Sequence, residues 1–281
     1  MLDAKERQYL YLHACIPEQV PEYVNAISGA EPFLLNDHLC YLGTGTVVLV
    51  GYPLQVPFDR SRLKEQLDIV SQRFRPDCIS LIAPLVPRWT KPAATHTSDH
   101  YYRLAIDRFE FNQKLLYMLK RASRETSVQI GNELGEEHVQ CIAEFLDSPK
   151  IDVAYREIFT RIPVYVSMVP TSRVFTARNN SGILVAFTIA EFGARDYGFY
   201  MFNFRSRSNY VPGASDLLIH QVLVMAKDMG KAYINFGLGI HQGVEFFKKK
   251  WGAYPFLNYE HCLYQTARTS ALKSLLFNWQ F

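Results

Sequence analysis

The chain of 281 residues is long enough for two domains or one large one, and its hydrophobic content of 48% supplies a substantial core. An aromatic content of 14% excludes a largely disordered chain. The net charge of +3 and pI near 8.5 permit an anionic ligand but lie below the pI above about 9 that is typical of nucleic-acid-binding domains.

No segment of the sequence predicts export or membrane insertion. The first 14 residues mix acidic and basic side chains before any apolar run, unlike a secretory signal. No window approaches the roughly 20 apolar residues that span a bilayer. The five cysteines are widely scattered, which predicts reduced, mostly buried thiols and no zinc or redox site. We therefore expect a cytoplasmic protein, which could still attach to a membrane surface.

The first half alternates strand-like runs with turns. Residues 39–42 and 46–50 are predicted strands around a Gly-Thr-Gly turn, and no lysine of a nucleotide-binding loop follows this turn. An amphipathic helix is predicted from about residue 60 to 74, and a strand over 78–83. This order of strand, loop, helix and strand returns in the second half, although two unrelated segments would give the same pattern.

The middle of the chain predicts a strand over 101–106 and helices over 109–124, 136–146 and 151–162, the last stopped by Pro163. The first of these helices has a basic outer face. Its cations are Lys114, Lys120, Arg121 and Arg124. Such a face could meet an acidic substrate, or it could be an ordinary solvated surface.

The second half begins with a predicted three-stranded antiparallel meander over 174–177, 183–191 and 197–205. The Asn-Asn-Ser-Gly sequence that precedes its second strand is a strong turn signal. A helix follows from about Ser215 to Met229, and then a strand from Tyr233. A single crossover helix between two strands predicts a parallel pair.

The loop before this helix is a candidate binding site for an anion. It lies at the carboxyl end of a strand, where backbone N–H groups and the positive end of the helix dipole suit a phosphate. Pro212 and Gly213 could also simply make the turn. The candidate binding residues are Tyr210, Val211, Gly213, Ala214 and Ser215.

This order of elements resembles the core of the GNAT acyltransferase superfamily. The segment Phe247-Lys248-Lys249-Lys250-Trp251-Gly252-Ala253, preceded by Tyr233-Ile234-Asn235-Phe236-Gly237, is similar to the end of FemAB-type peptidoglycan aminoacyltransferases. It is also similar to the domain that closes lysylphosphatidylglycerol synthetases. The specific match covers residues 203–264.

The resemblance implies an α/β (α+β) fold of two tandem GNAT-like domains, each a mixed central sheet flanked by helices. A degenerate domain would occupy residues 1–125 and the acyltransferase domain residues 126–281. The implied reaction moves an acyl or aminoacyl group to an amine or hydroxyl, without a tightly bound cofactor or a metal. Acyl-CoA or aminoacyl-tRNA would be the anionic donor. The acceptor could be a small molecule, a lipid head group or a peptide.

One departure from the superfamily pattern concerns the donor. Acetyl-CoA users commonly have Arg or Gln, two residues, Gly, one residue, and Gly or Ala in this loop, where the chain has Tyr210, Gly213 and Ser215. The departure argues against coenzyme A and suits an aminoacyl-tRNA donor. It would also suit a non-catalytic GNAT-fold binding or scaffold protein, the alternative to an enzyme. The tail after Gln265 is helix-like and could cover a neighbouring subunit of a homo-oligomer.

Four residues are candidates for the chemistry. The resemblance gives Lys248 the role of steadying the aminoacyl end, although it could be one of three lysines on an exposed turn. Glu191 could take a proton or could simply be a solvated strand end. Tyr200 and Asn203 are candidate pocket residues, and we expect them on opposite faces of a regular strand unless Gly198 marks a bulge. Motifs of zinc hydrolases, common serine hydrolases and P-loop NTPases are absent from the sequence.

Overall fold

The computed structural model describes residues 2–90, 92–147 and 153–266, which form one mixed sheet of eleven strands with helices on both faces. The strands are β1 (Glu31–Leu35), β2 (His38–Gly43), β3 (Thr46–Val50), β4 (Cys78–Ala83), β5 (Thr95–Ala105), β6 (Thr126–Gly131), β7 (Ser172–Asn179), β8 (Leu184–Glu191), β9 (Tyr197–Arg205), β10 (Tyr233–Leu238) and β11 (Tyr254–Gln265). The helices are α1 (Ala4–His13), α2 (Pro21–Ser28), α3 (Arg60–Phe74), α4 (Gln113–Glu125), α5 (Glu136–Leu146), α6 (Val153–Thr160), α7 (Ile162–Met168), α8 (Ala214–Asp228) and α9 (Gln242–Lys250).

The predicted repeat of element order is present. In each half an antiparallel meander leads through one crossover helix to a strand parallel to the third strand of the meander. The two units are β1-β2-β3-α3-β4 and β7-β8-β9-α8-β10.

The two halves exchange strands at the centre of the sheet. The strand order is β1-β2-β3-β4-β11-β5-β10-β9-β8-β7-β6, so β11 from the end of the chain lies between two strands of the first half. β5 in turn pairs with β10. The sheet therefore continues without a break through both halves, and the boundary near residue 125 stays a prediction.

Apolar side chains cover both faces of the sheet. One cluster, which we call the lower core, runs under both halves and includes buried residues of α1, α2, α5 and α7. The opposite face carries two separate clusters, one beneath α3 and one beneath α4 and α8. We call the latter the α8 side. β3, β4 and β8 are thus covered by apolar residues on both faces, which explains their nearly continuous apolar sequences.

Three sequence predictions need correction. Pro163 does not stop a helix, because it occupies the first turn of α7, where its missing N–H has no helical partner to lose. β5 begins at Thr95, six residues before the predicted start, because β11 pairs with its first half. α1, α2, β6 and β11 were not predicted at all. The predicted helical tail after Gln265 lies outside the described residues except for Thr266.

Among the described residues, no helix has the length and apolar character required to cross a bilayer.

We expect Phe187→Ala to lower the free energy of unfolding by about 3–5 kcal/mol, because the lost ring leaves a cavity in the lower core. Phe187 is fully buried, and its ring stacks on Phe204 and meets the edge of His138, each at 4.9 Å between centroids. Phe246→Ala is the matched control, since that ring is 68% exposed. Urea denaturation measures both losses, and equal losses would contradict this account of the core.

Candidate active site

The parallel strands β9 and β10 separate after three residue pairs. Tyr233 pairs with Tyr197, Ile234 with Gly198 and Asn235 with Phe199, after which both strands continue without pairing to each other. In the first half, the equivalent strands β3 and β4 pair along all five residues of β3. The second half therefore opens between residues 200–205 of β9 and residues 236–238 of β10. We call this opening the wedge.

Close packing and one buried amide fix the point where the strands separate. A Cβ atom at Gly198 would lie 2.7 Å from Ile234 Cδ1, so glycine permits the close approach of β9 and β10. Asn235 is fully buried. Its Nδ2 donates to the Cys15 carbonyl at 2.7 Å, and its Oδ1 accepts from the Gly237 N–H at 2.7 Å. Asn235 thus fixes β10 at the residue where its pairing with β9 ends, and the pairing of β10 with β5 shifts register just beyond it.

A β-bulge in β9 turns two predicted pocket residues to the same side. Ala190 pairs with Tyr200 and the next residue back, Ile189, pairs with Phe202, so Met201 is the extra residue. Tyr200 packs in the cluster under α8, and Asn203 Nδ2 donates to Ser215 Oγ on α8 at 3.3 Å. The expectation that these side chains face opposite ways is wrong, because the bulge lies at Met201 and resets the alternation.

Both pocket residues have unmet hydrogen-bonding groups. The Tyr200 hydroxyl and Asn203 Oδ1 are buried and make no hydrogen bond of normal geometry to a described residue. Burial raises the pKa of Tyr200 above its ordinary value, and the nearby Thr188 hydroxyl lowers it by less. The phenol therefore stays protonated at neutral pH. Because a buried polar group without a partner is costly, this pair is suited to bind polar atoms of a ligand.

The predicted anion-binding loop is covered on one side by α4. Gly213 is the N-cap of α8 with φ of +85°, and a Cβ there would lie 3.2 Å from the Met118 carbonyl oxygen and from Ala122 Cβ. Tyr210 is exposed and lies beneath the Arg205 guanidinium, 5.9 Å from the ring centroid. Val211 packs against the α8 side, where Ala214 is buried.

A carboxylate already occupies the first turn of α8. Asp216 is buried, accepts a hydrogen bond of 2.9 Å from Trp251 Nε1 and forms an ion pair with Lys250. Its charge satisfies the positive end of the helix dipole from within the protein. This reduces the attraction of the loop for an external phosphate.

Lys248 is buried, so the alternative that it is one of three lysines on an exposed turn is wrong. It is 4% exposed and donates to the Leu238 carbonyl at the end of β10, with the Tyr102 ring 5.7 Å from its Nζ. Burial lowers the pKa of Lys248 to about 7, opposed by Asp99 and Glu245. The amine is therefore only partly protonated at neutral pH.

Glu191 lies apart from the other candidates. It pairs with Phe199 at the closed end of the wedge and is fully buried, which excludes a solvated strand end. Its Oε1 accepts from Thr171 Oγ1 at 2.5 Å and from the Gly193 N–H at 2.8 Å. Burial raises the pKa of Glu191 above its ordinary value. Its role as a proton acceptor stays a prediction.

Sequence reasoning missed Asn235 and Asp216. An asparagine inside the apolar strand sequence Tyr-Ile-Asn-Phe was an available signal, since a buried amide in a strand needs specific partners. Asp216 could be read only as a helix cap, because its partners Lys250 and Trp251 come from a distant turn. Nowhere in the described ranges do three or more His, Cys, Asp or Glu residues form a group that could hold a metal ion.

Comparison with known proteins identifies the fold. No family model matches the sequence, and no curated protein is detectably similar to it. Among solved structures, L-PGS from Bacillus licheniformis is 13% identical with a TM-score of 0.59, and the alignment covers 98% of this chain and 95% of that one. FemX is 11% identical with a TM-score of 0.59, covering 92% and 96%. A tandem GNAT protein from the clavulanic acid biosynthesis pathway is 11% identical with a TM-score of 0.52, covering 83% and 79%.

The protein has a GNAT/FemAB-like fold. The predicted α/β class is confirmed: the chain has a large mixed sheet flanked by helices and matches structures of that type along its length. Its division into two tandem domains stays a prediction.

We expect Gly213→Ala to lower the free energy of unfolding by about 2–3 kcal/mol. Alanine with a positive φ costs roughly 1–2 kcal/mol, and its Cβ would also press on α4. Gly182→Ala isolates the first effect, since Gly182 has φ of +81° with no atom within 4 Å of the added Cβ. Chemical denaturation should show the smaller loss for Gly182→Ala. Equal losses would mean that α4 does not press on the loop.

We expect Lys248→Met to stabilise the protein by about 2–4 kcal/mol at pH 6, because the folded state then no longer buries a charge. Between pH 7 and the ordinary lysine pKa, the unfolded chain binds the proton more tightly, so wild-type stability rises with pH and the difference shrinks. Thermal unfolding between pH 6 and 10 measures this trend. Lys249→Met, at an exposed lysine paired with Glu245, should not show this trend. A stability difference for Lys248→Met that stays constant with pH would refute the lowered pKa of the Lys248 amine.

Proposed function

We propose that the protein is an acyltransferase that moves an acyl or aminoacyl group from an activated donor to an amine or hydroxyl acceptor. The observation that carries this proposal is the wedge, which is open in the second half while the equivalent strands of the first half stay paired. In the GNAT enzymes that the sequence resembles, the acyl group lies in such a gap. The fold shared with L-PGS, FemX and a tandem GNAT protein supports the same reading.

The groups that line the wedge suit acyl transfer. Beyond Phe199 the edge of β9 that faces β10 has no strand partner, so its backbone N–H groups can stabilise a developing oxyanion. The Tyr200 hydroxyl can donate to the acyl carbonyl, and Asn203 Oδ1 can accept from an N–H or O–H group of the donor. These groups are already fixed by the sheet and α8, which lowers the cost of ordering them in the transition state.

We favour aminoacyl-tRNA over acyl-CoA as the donor. Asp216 occupies the first turn of α8, α4 covers Gly213, and Tyr210 stands where coenzyme A users commonly have Arg or Gln. Each feature weakens a pyrophosphate site in the loop. Lys248, with its amine at the end of β10, would steady the aminoacyl end of the donor.

Donor binding and transfer test the proposal directly. Thermal shift with acetyl-CoA, a long-chain acyl-CoA and a mixed pool of aminoacyl-tRNA compares the donors, because a ligand of the folded state raises stability by mass action. Transfer of labelled acyl groups is then followed to primary amines, peptides and lipid vesicles. We expect stabilisation and transfer with aminoacyl-tRNA. Response to thioesters alone would reassign the donor, and no response to either would favour the non-catalytic scaffold.

We expect Tyr200→Phe to reduce transfer by about 10- to 100-fold while leaving stability unchanged or slightly higher, because it removes a buried hydroxyl that lacks a partner in the free protein. Tyr264→Phe is the matched control, since Tyr264 is a buried tyrosine of β11 in the apolar cluster beneath α3, away from the wedge. Initial rates and thermal unfolding are measured for both variants. Full activity of Tyr200→Phe would remove this hydroxyl from the site.

A further inference from the structure

Glu18 is a buried carboxyl group with one oxygen left without a partner. It lies in the single 3-10 turn Pro17–Gln19 between α1 and α2 and is 1% exposed. Its Oε2 accepts a hydrogen bond of 2.8 Å from the Tyr101 hydroxyl, while Oε1 makes no hydrogen bond to any described residue. A buried carboxyl oxygen in this state is costly and calls for a functional explanation.

Three contacts place Glu18 over the wedge, on the face opposite α8. Cys15, three residues before it, accepts the hydrogen bond from Asn235 where the wedge begins. Tyr101, which holds Glu18, pairs with Leu238 at the end of β10. Tyr23, five residues after Glu18, packs its ring 6.2 Å from that of Phe202, which lies on the part of β9 that does not pair with β10. The segment from Cys15 to Tyr23 therefore bridges the two separated strands, with Glu18 in its middle.

The groups around Glu18 are neutral at pH 7. They are the thiol of Cys15 and the hydroxyls of Tyr23, Tyr41, Tyr52 and Tyr101, whose pKa values are all raised by burial. Burial also raises the pKa of Glu18 to about 7, opposed by the nearby backbone N–H of Glu18 itself and by the Tyr101 hydroxyl. Glu18 thus exchanges its proton near neutral pH, in the range where a general base works best.

We propose that Glu18 is the proton acceptor for the acceptor substrate, whose reacting amine or hydroxyl would lie in the wedge beneath the segment from Cys15 to Tyr23. This inference rests on the proposed acyl transfer. Glu18 Oε1 takes a proton from the acceptor amine or hydroxyl as its lone pair attacks the acyl carbonyl. The new C–N or C–O bond forms, the ester or thioester bond to the donor breaks, and the leaving oxygen or sulfur takes the proton back from Glu18. Glu191, whose oxygens are already hydrogen-bonded, is the competing proton acceptor on the face opposite α8.

The pH dependence of transfer by Glu18→Gln tests this role. We expect wild-type kcat/KM to rise with pH through about 7, where Glu18 ionises, and Glu18→Gln to lose this rise together with about 100- to 10,000-fold of the rate. Tyr101→Phe should stay active but move the rise to higher pH, because it removes a hydrogen bond that favours the carboxylate. Glu191→Gln should keep the rise through pH 7.

Stability supplies a readout that does not depend on activity. Between pH 4.5 and 7 the folded carboxyl stays protonated while the unfolded one ionises, so wild-type stability should fall relative to Glu18→Gln. If Glu18→Gln folds and its kcat/KM has the pH profile of the wild type, the role of Glu18 is overturned but the proposed acyl transfer is not. If that variant does not fold, an unmoved profile in Tyr101→Phe would overturn the role of Glu18. Absence of transfer by the wild-type protein would overturn the proposed function as well.

Discussion

The separation of β9 from β10 is the constraint on which the rest of the structure depends. Two parallel strands that stop pairing inside a protein leave backbone groups without partners, so the separation persists only where other contacts determine it. Here the contacts are the buried amide of Asn235, which ties β10 to the carbonyl of Cys15, and the bulge at Met201 in β9. In the first half neither device is present beside β3 and β4, and those strands stay paired.

The exchange of strands explains how the first half, which has no wedge of its own, contributes to the wedge of the second half. β11 pairs with both β4 and β5, and β5 pairs with β10, so the edge of the wedge belongs to a sheet that the first half completes. The N-terminal segment then covers the wedge on the face opposite α8 through Cys15 and Tyr23. Removing residues before β1 would uncover that face and leave the Asn235 amide without its partner.

Local signals predicted the four longest described helices, α3, α4, α5 and α8, and the site only in part. α3 and α5 have the predicted ends because caps and apolar periodicity are encoded within each segment. β11 escaped prediction because its partners lie about 150 to 190 residues earlier in the chain. The burial of Lys248 is hidden for the same reason, because the Tyr102 ring beside its amine comes from the first half of the chain. The common direction of Tyr200 and Asn203 depends instead on a bulge in the pairing of β9 with the neighbouring strand β8. The sequence placed the loop, the crossover helix and the parallel pair correctly, since each has a turn or cap residue at its boundary.

The distribution of unmet polar groups ties the two faces of the sheet to one reaction. Among the described residues, five buried side-chain atoms lack a hydrogen bond, and three of them flank the wedge: the Tyr200 hydroxyl, Asn203 Oδ1 and Glu18 Oε1. The first two lie toward α8, together with the buried amine of Lys248, and the third lies on the opposite face. The sheet separates these groups everywhere except at the wedge. A donor held on the α8 side can therefore meet an acceptor activated by Glu18 only where β9 and β10 have parted, which makes the strand separation itself the condition for transfer.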